Sequence, residues 1–131
     1  MSDQRYIDLI NDLRILPAET EWVEFKRNNT DPEVIGKRIS ALSNGARLLD
    51  KPKAYFVYGI ADEIKNGIRE VTGTKFKGAN ERVKGQPLPF WLANALDPSP
   101  HLEFIEIKHP EGRVVLIEIP AASGTTTKFK G

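Results

Sequence analysis

The sequence predicts an α+β domain in which a mixed sheet packs against two or three helices. Helical and strand-like hydrophobic patterns follow one another in the order α-β-α-β-β-α-β-β, which is not the strict βα repeat of a parallel α/β fold. The last two strand-like segments, LEFIEIK and RVVLIEI, are joined by the turn sequence HPEG and indicate an antiparallel hairpin. A chain of 131 residues, 40% of them hydrophobic, is long enough for one domain with a substantial core.

The first elements are a short helix and a strand. Apolar residues at helical spacing predict a helix over residues 3–13, and Pro17 separates it from a strand at about residues 20–26. Within that strand Val23 and Phe25 alternate with polar neighbours, which is typical of a half-buried strand. We expect residues 1–18 to form a helix and linker ahead of the main domain.

A second helix and a central strand follow. Asp31 is a good N-cap, Pro32 suits the first helical turn, and Asn44-Gly45 predicts the C-terminal stop. Residues 53–62 are apolar on both faces, which predicts a strand covered on both sides. The turn Asn66-Gly67 then leads into a return strand.

The C-terminal half begins with a basic loop and a third helix. The loop covers residues 73–85, and the sequence PLPFWLANAL predicts a helix that ends before Pro98 and Pro100. The hairpin then completes a domain predicted over residues 19–122. The remaining residues, 123–131, are polar and predict a tail at which a longer parent protein has been truncated.

Composition excludes several functional classes. The net charge is +1, so a nucleic-acid surface would require local clustering of cations. The absence of cysteine excludes disulfides, thiolate zinc sites and thiol catalysis. The first residues, MSDQRYIDLINDL, are acidic and lack the apolar run of a signal peptide, and no apolar stretch is long enough to span a membrane. We therefore expect a cytoplasmic protein without a membrane partner.

Clustered cations indicate nucleic acid as a partner. The loop at residues 73–85 has a net charge of +3 and places Phe76 between two lysines, an arrangement suited to phosphate contacts and base stacking; a flexible, solvated loop is the alternative. Gly73 and Gly78 have the spacing of a P-loop, but Ala79 and Asn80 replace its Lys and Ser/Thr, so we expect no ATP site. Trp22 is a further aromatic candidate. The predicted nucleic-acid-binding residues are Lys26, Arg27, Arg47, Lys51, Lys53, Lys75, Phe76 and Lys77.

Carboxylates indicate a second candidate site. Glu24 lies on the first strand and Asp62 ends the central strand, so the two side chains approach each other if these strands are neighbours. Glu19 would join them if the chain bends after Pro17. Such a group suits Mg²⁺ or Mn²⁺, whereas solvated strand ends are the alternative. His101 and His109 show no metal-ligand spacing and are interpreted as turn residues.

Five segments together resemble one family, the Schlafen AlbA_2 domain. They are ETEWVEFKRNN, the helix end ISALSN, YFVYGIAD followed by VTGTKF, and VVLIEIPAA, and they extend from Glu19 to Ala122. The resemblance implies an Alba-like fold and a DNA-binding domain of a bacterial transcriptional regulator whose other domains lie in a longer parent chain. DNA is favoured over RNA.

The resemblance also implies a role for the carboxylates. Animal Schlafen ribonucleases use two glutamates and an aspartate for metal-dependent cleavage, and Glu19, Glu24 and Asp62 match that pattern. A metal-dependent nuclease is therefore an alternative function, with these three residues as catalytic groups and metal ligands. A third alternative is a dimerisation lobe of a larger regulator, since Alba-like modules often pair.

Overall fold

The computed structural model describes residues 4–17 and 20–130. Within these ranges no helix combines the length and the apolar character that crossing a membrane requires. The helices are α1 (Gln4–Arg14), α2 (Pro32–Leu48) and α3 (Leu88–Ala95). The strands are β1 (Val23–Lys26), β2 (Lys53–Tyr58), β3 (Ile60–Lys65), β4 (Ile68–Val71), β5 (Arg82–Val83), β6 (Gln86–Pro87), β7 (Leu96–Asp97), β8 (Glu103–His109), β9 (Gly112–Pro120) and β10 (Lys128–Phe129).

A four-stranded mixed sheet forms the centre of the fold, in the order β1-β2-β9-β8. β1 runs parallel to β2, and the other neighbours are antiparallel. The Tyr55 amide donates to the Trp22 carbonyl at 2.8 Å, and Phe25 lies opposite Val57. The predicted α+β class is confirmed, and β1 and β2 are the neighbours that the carboxylate hypothesis requires.

The sheet is covered on both faces. α2 and α3 bury one face, where Phe56 and Tyr58 of β2 join a large apolar cluster. α1 packs with the β3–β4 hairpin on the other face, around Phe25 and Val57. β2 is therefore the doubly covered strand that its apolar sequence predicts.

α2 does not stop at Asn44-Gly45 but continues to Leu48. The predicted stop was wrong because these two residues make long-range contacts. A Cβ atom on Gly45 would overlap the backbone carbonyl of Glu21, so glycine lets the helix approach the chain that leads into β1. The Asn44 side chain exchanges two hydrogen bonds with the Thr127 backbone, at 3.0 and 2.8 Å.

The predicted central strand is divided at Gly59. Its φ of 101° lies in the region that favours glycine. The Gly59 amide donates to Lys26 at 2.9 Å, and its carbonyl accepts from Thr72 at 2.8 Å. The chain therefore leaves the main sheet after Tyr58 and enters the β3–β4 hairpin, which carries Asp62.

The segment predicted as a polar tail contains a strand. β10 pairs antiparallel with β7. The Phe129 ring lies 6.0 Å from the ring of Trp91 and contacts α2 where Gly36 leaves space for it. The polar composition of the segment gave no sign of this packing, because a single aromatic residue, Phe129, makes these contacts.

Candidate nucleic-acid interface

The loops that follow β1 and β4 interlock beside the C-terminal ends of β1 and β2. The Thr74 hydroxyl donates to the Arg27 carbonyl at 2.6 Å. The Asn28 side chain accepts from the Lys75 amide at 2.9 Å. Cationic segments 47 residues apart in sequence are thereby held side by side.

The side chains of Arg113 and Tyr58 also stabilise the two loops, through hydrogen bonds to their backbone carbonyls. Arg113 of β9 donates to the carbonyls of Thr74 at 3.1 Å and Phe76 at 2.6 Å, and it forms an ion pair with Glu106. Tyr58 donates its hydroxyl to the Asn29 carbonyl at 2.6 Å. Burial raises the pKa of Tyr58, so this donor keeps its proton. Sequence reasoning missed Arg113, because no local spacing indicates its contacts.

We call Lys26, Arg27, Lys75 and Lys77 the basic rim. Arg27, Lys75 and Lys77 are exposed and have no ion pair in the described part of the chain. Lys26 is half-buried, and its ammonium lies 3.5 Å from the Glu24 carboxylate. The rim therefore has three cations free to meet phosphate and a fourth that is partly neutralised.

Phe76 is not part of the rim, although the sequence predicted it as a stacking residue. It is 1% exposed, and its ring stacks on Tyr58 with a centroid distance of 4.0 Å. Its flanking lysines point to solvent while Phe76 fills the core. In this fold the Phe76 ring cannot present a face to a base.

The other three predicted cations lie at the opposite end of the sheet. Lys53 begins β2, and Tyr58, the partner of Lys26, ends it. Five residues of strand separate these positions by about 17 Å. Lys53 forms an ion pair with Glu118 at 3.4 Å. Arg47 lies in the last turn of α2, and Lys51 follows that helix, so the single predicted surface is two surfaces.

The carboxylates are brought together only in part. β3, which carries Asp62, packs beside β1, which carries Glu24. Asp62 is exposed, whereas Glu24 is half-buried and paired with Lys26. Glu19 lies outside the described residues. Among residues 4–17 and 20–130 no three His, Asp or Glu side chains form a group that fits a metal ion. Glu24 and Asp62 thus offer an incomplete ligand set on their own.

Arg69 links β3, which carries Asp62, to the segment that follows α1. It is 1% exposed, and its guanidinium lies 4.4 Å from the centre of the Phe25 ring. Burial lowers the pKa of Arg69, and the charge of Asp62 acts in the opposite direction. The guanidinium donates to five backbone carbonyls, those of Leu13, Arg14, Leu16, Pro17 and Asp62.

Comparisons with known proteins agree with this architecture. A family model described as "Schlafen, AlbA_2" matches residues 19–131. No curated protein sequence matches the chain significantly.

Two solved structures are similar in fold. The DIP2311 protein of Corynebacterium diphtheriae superposes with a TM-score of 0.54 at 14% identity, over 98% of this chain and 24% of that one. The second structure is the N-terminal domain of a Nitrosomonas europaea protein described as related to the ATP-dependent DNA helicase RecG. It superposes with a TM-score of 0.53 at 16% identity, over 94% of this chain and 75% of that one. This chain therefore spans about a quarter of the Corynebacterium protein, and at such identities the likeness shows the fold alone.

Proposed function

Because the chain belongs to the Schlafen AlbA_2 family, we propose that it is a nucleic-acid-binding domain that contacts the phosphate backbone of duplex DNA through the basic rim. In this proposal it serves as the DNA-binding module of a bacterial transcriptional regulator with further domains. The observation that carries the proposal is the interlocking of two loops, which gathers cations from distant parts of a nearly neutral chain.

The chemistry of the rim suits backbone contacts. Cations that neutralise phosphates release condensed counterions, which supplies affinity without reading sequence. The loop backbones are fixed by Thr74 and Asn28, so the backbone of the rim loses little conformational freedom when it meets the duplex. The name of the Nitrosomonas protein, which refers to a DNA helicase, favours DNA as the partner.

The test is the salt dependence of duplex binding, measured by fluorescence anisotropy between 50 and 200 mM salt. If Lys26 leaves Glu24 on binding, all four rim cations contact phosphate and give a slope of log K against log salt of about −3.6, which is a loss of roughly 150-fold across this range. Replacing Lys75 and Lys77 by glutamine should reduce the slope to about −1.8 and the loss to roughly 12-fold.

A matched control separates the rim from general charge. Lys128→Gln with Lys130→Gln removes the same charge from exposed positions on and beside β10. This control should keep the parental slope. A parental slope near zero, or equal effects of the two double variants, would exclude the rim as the binding surface.

A second candidate function is metal-dependent cleavage of nucleic acid, with Glu19, Glu24 and Asp62 as ligands of Mg²⁺ or Mn²⁺. Arg69 favours it, because one guanidinium binds the carbonyls of both Pro17 and Asp62, each at 3.1 Å. The segment that leads to Glu19 is thereby held beside β3. When bound, the metal would activate water and stabilise charge on the phosphate.

Cleavage is tested on structured RNA and on DNA, with Mg²⁺, Mn²⁺ or EDTA. The second function requires cleavage that EDTA, Glu24→Gln and Asp62→Asn each abolish. Glu63→Gln is the matched control, since Glu63 is an exposed carboxylate next to Asp62 on the same strand. Turnover that survives in Asp62→Asn, or no turnover on either substrate with either metal, would dismiss it.

A further inference from the structure

A cleft opens between α1 and the N-terminal ends of β1 and β2, at the end of the sheet away from the basic rim. Its volume is about 330 Å³, within the range of small-ligand sites. The walls are mostly apolar: Leu9, Leu13 and Leu16 come from α1 and its continuation, and Trp22 and Tyr55 come from the sheet side. The short helix α1 leaves this part of the sheet face uncovered.

Two aromatic rings form the sheet side of the cleft. Trp22 and Tyr55 meet edge to face, with centroids 6.0 Å apart and an interplanar angle of 62°. Both side chains are half-buried, whereas the stacked rings of Phe56, Tyr58 and Phe76 on the opposite face of the sheet are fully buried. Of these five rings, only those of Trp22 and Tyr55 are partly exposed.

Cations stand at the mouth of the same cleft. The Lys51 ammonium lies 4.7 Å from the centre of the Trp22 ring, and Lys51 has no ion pair in the described part of the chain. Lys53 also lines the cleft, with Glu118 as its partner, and Asp12 is a carboxylate in the wall. Proteins that bind single-stranded nucleic acids use this combination of aromatic faces and lysines, since bases stack on the rings and phosphates meet the cations.

We propose that this cleft is a subsite for one unpaired nucleobase, with Trp22 and Tyr55 as the stacking surface and Lys51 and Lys53 on the adjoining phosphates. The inference rests on nucleic-acid binding as the proposed function and adds a second, single-stranded contact to it. Lys51 now covers the ring of Trp22, and it moves to a phosphate when a base takes that place. The cations favour a nucleotide over an uncharged apolar ligand.

The direct test uses Trp22 as its own reporter. The chain has two tryptophans, so Trp91→Phe leaves Trp22 as the sole one. Titration with oligo(dT) should quench its fluorescence, and an abasic oligomer of equal length should bind about tenfold more weakly, as expected for one lost stacking contact. Equal quenching and equal affinity for the two oligomers would overturn the proposal.

Substitutions give an independent readout. Trp22→Ala should weaken oligo(dT) binding about tenfold, whereas Trp22→Phe should retain most of it because a ring remains. Lys51→Gln should reduce the single-strand salt slope by about 0.7. If Trp22→Ala fails to fold, the fluorescence titration and Lys51→Gln still decide the question.

The outcomes separate this subsite from the proposed function. Duplex binding that depends on Lys75 and Lys77, without any preference for bases over abasic sites, would retain the function and overturn the subsite. Loss of all nucleic-acid binding would overturn both. Self-association in sedimentation that shields Trp22 and excludes oligo(dT) would assign the cleft to a second copy of the chain and overturn the nucleobase.

Discussion

The replacement Gly45→Ala tests the contact between α2 and the chain that enters β1. In an ordinary helix interior this change stabilises by about 1 kcal/mol, because alanine is the better helix former. Here the new Cβ atom would overlap the Glu21 carbonyl oxygen and lie 3.0 Å from its carbonyl carbon. Neither atom belongs to a flexible side chain, so the backbone must shift, and overpacking of this kind costs about 1–3 kcal/mol.

We therefore expect Gly45→Ala to lower the free energy of unfolding by about 2 kcal/mol, which is the upper end of the overpacking cost minus the gain in helix propensity. In urea denaturation the midpoint should fall by about 1 M, for a slope near 2 kcal/mol/M. Ala41→Gly, at an exposed position of α2, is the control and should cost about 1 kcal/mol by helix propensity alone. A Gly45→Ala protein more stable than the parent would refute the close approach.

Three other changes test the core and its charges. Phe76→Ala should destabilise the fold by about 3–5 kcal/mol in denaturation, the cost of emptying a buried aromatic site; a fully stable variant with weakened DNA binding would instead restore its role as a stacking residue. Phe129→Ala should cost about 1–2 kcal/mol, less than for a fully buried ring, whereas no change in the urea midpoint would mark a free tail. Burial and the charge of Arg14 lower the pKa of His109, so the unfolded chain binds the extra proton first as the pH falls. The contribution of His109 to the free energy of unfolding should be fully present above about pH 6.5 and decrease as the pH drops toward the pKa in the folded state. An equal loss of stability in His109→Gln would exclude His109 as the cause.

Local signals in the sequence predicted those parts of the fold that depend on local chemistry. The N-cap at Asp31 accepts from the Glu33 amide at 3.0 Å, as Asp-Pro at a helix start indicates. The alternation around Val23 and Phe25 correctly predicted that these two side chains of β1 are buried. The sequence of β2, apolar on both faces, identified the central strand. In each case the determining neighbours lie within a few residues.

Features set by distant contacts could not be predicted in this way. Gly45 looked like a helix stop because glycine usually serves that role, but its function here is to admit the Glu21 backbone. Gly59 looked like an ordinary strand residue, although its positive φ redirects the chain into a hairpin. Phe129 lies in a polar segment, and only the fold shows the space beside Gly36 that receives its ring.

The candidate site shows the same division. Sequence reasoning found the cations of the rim by local charge, but treated Lys75 and Lys53 as members of one surface. Strand length separates them, and that separation follows only from the parallel pairing of β1 with β2. Arg113 and Arg69 escaped notice because most of their partners are backbone carbonyls tens of residues away, which carry no sequence signal.

The five carbonyls that converge on Arg69 join the end of α1 to the β3–β4 hairpin through one side chain. Opening the hairpin would strip these acceptors of their shared donor, and fraying of α1 would do the same from the other side. The two segments should therefore open as one cooperative unit. In native-state hydrogen exchange, amides of Leu13 and of the hairpin would then exchange with a common free energy, and Arg69→Met would lower both together.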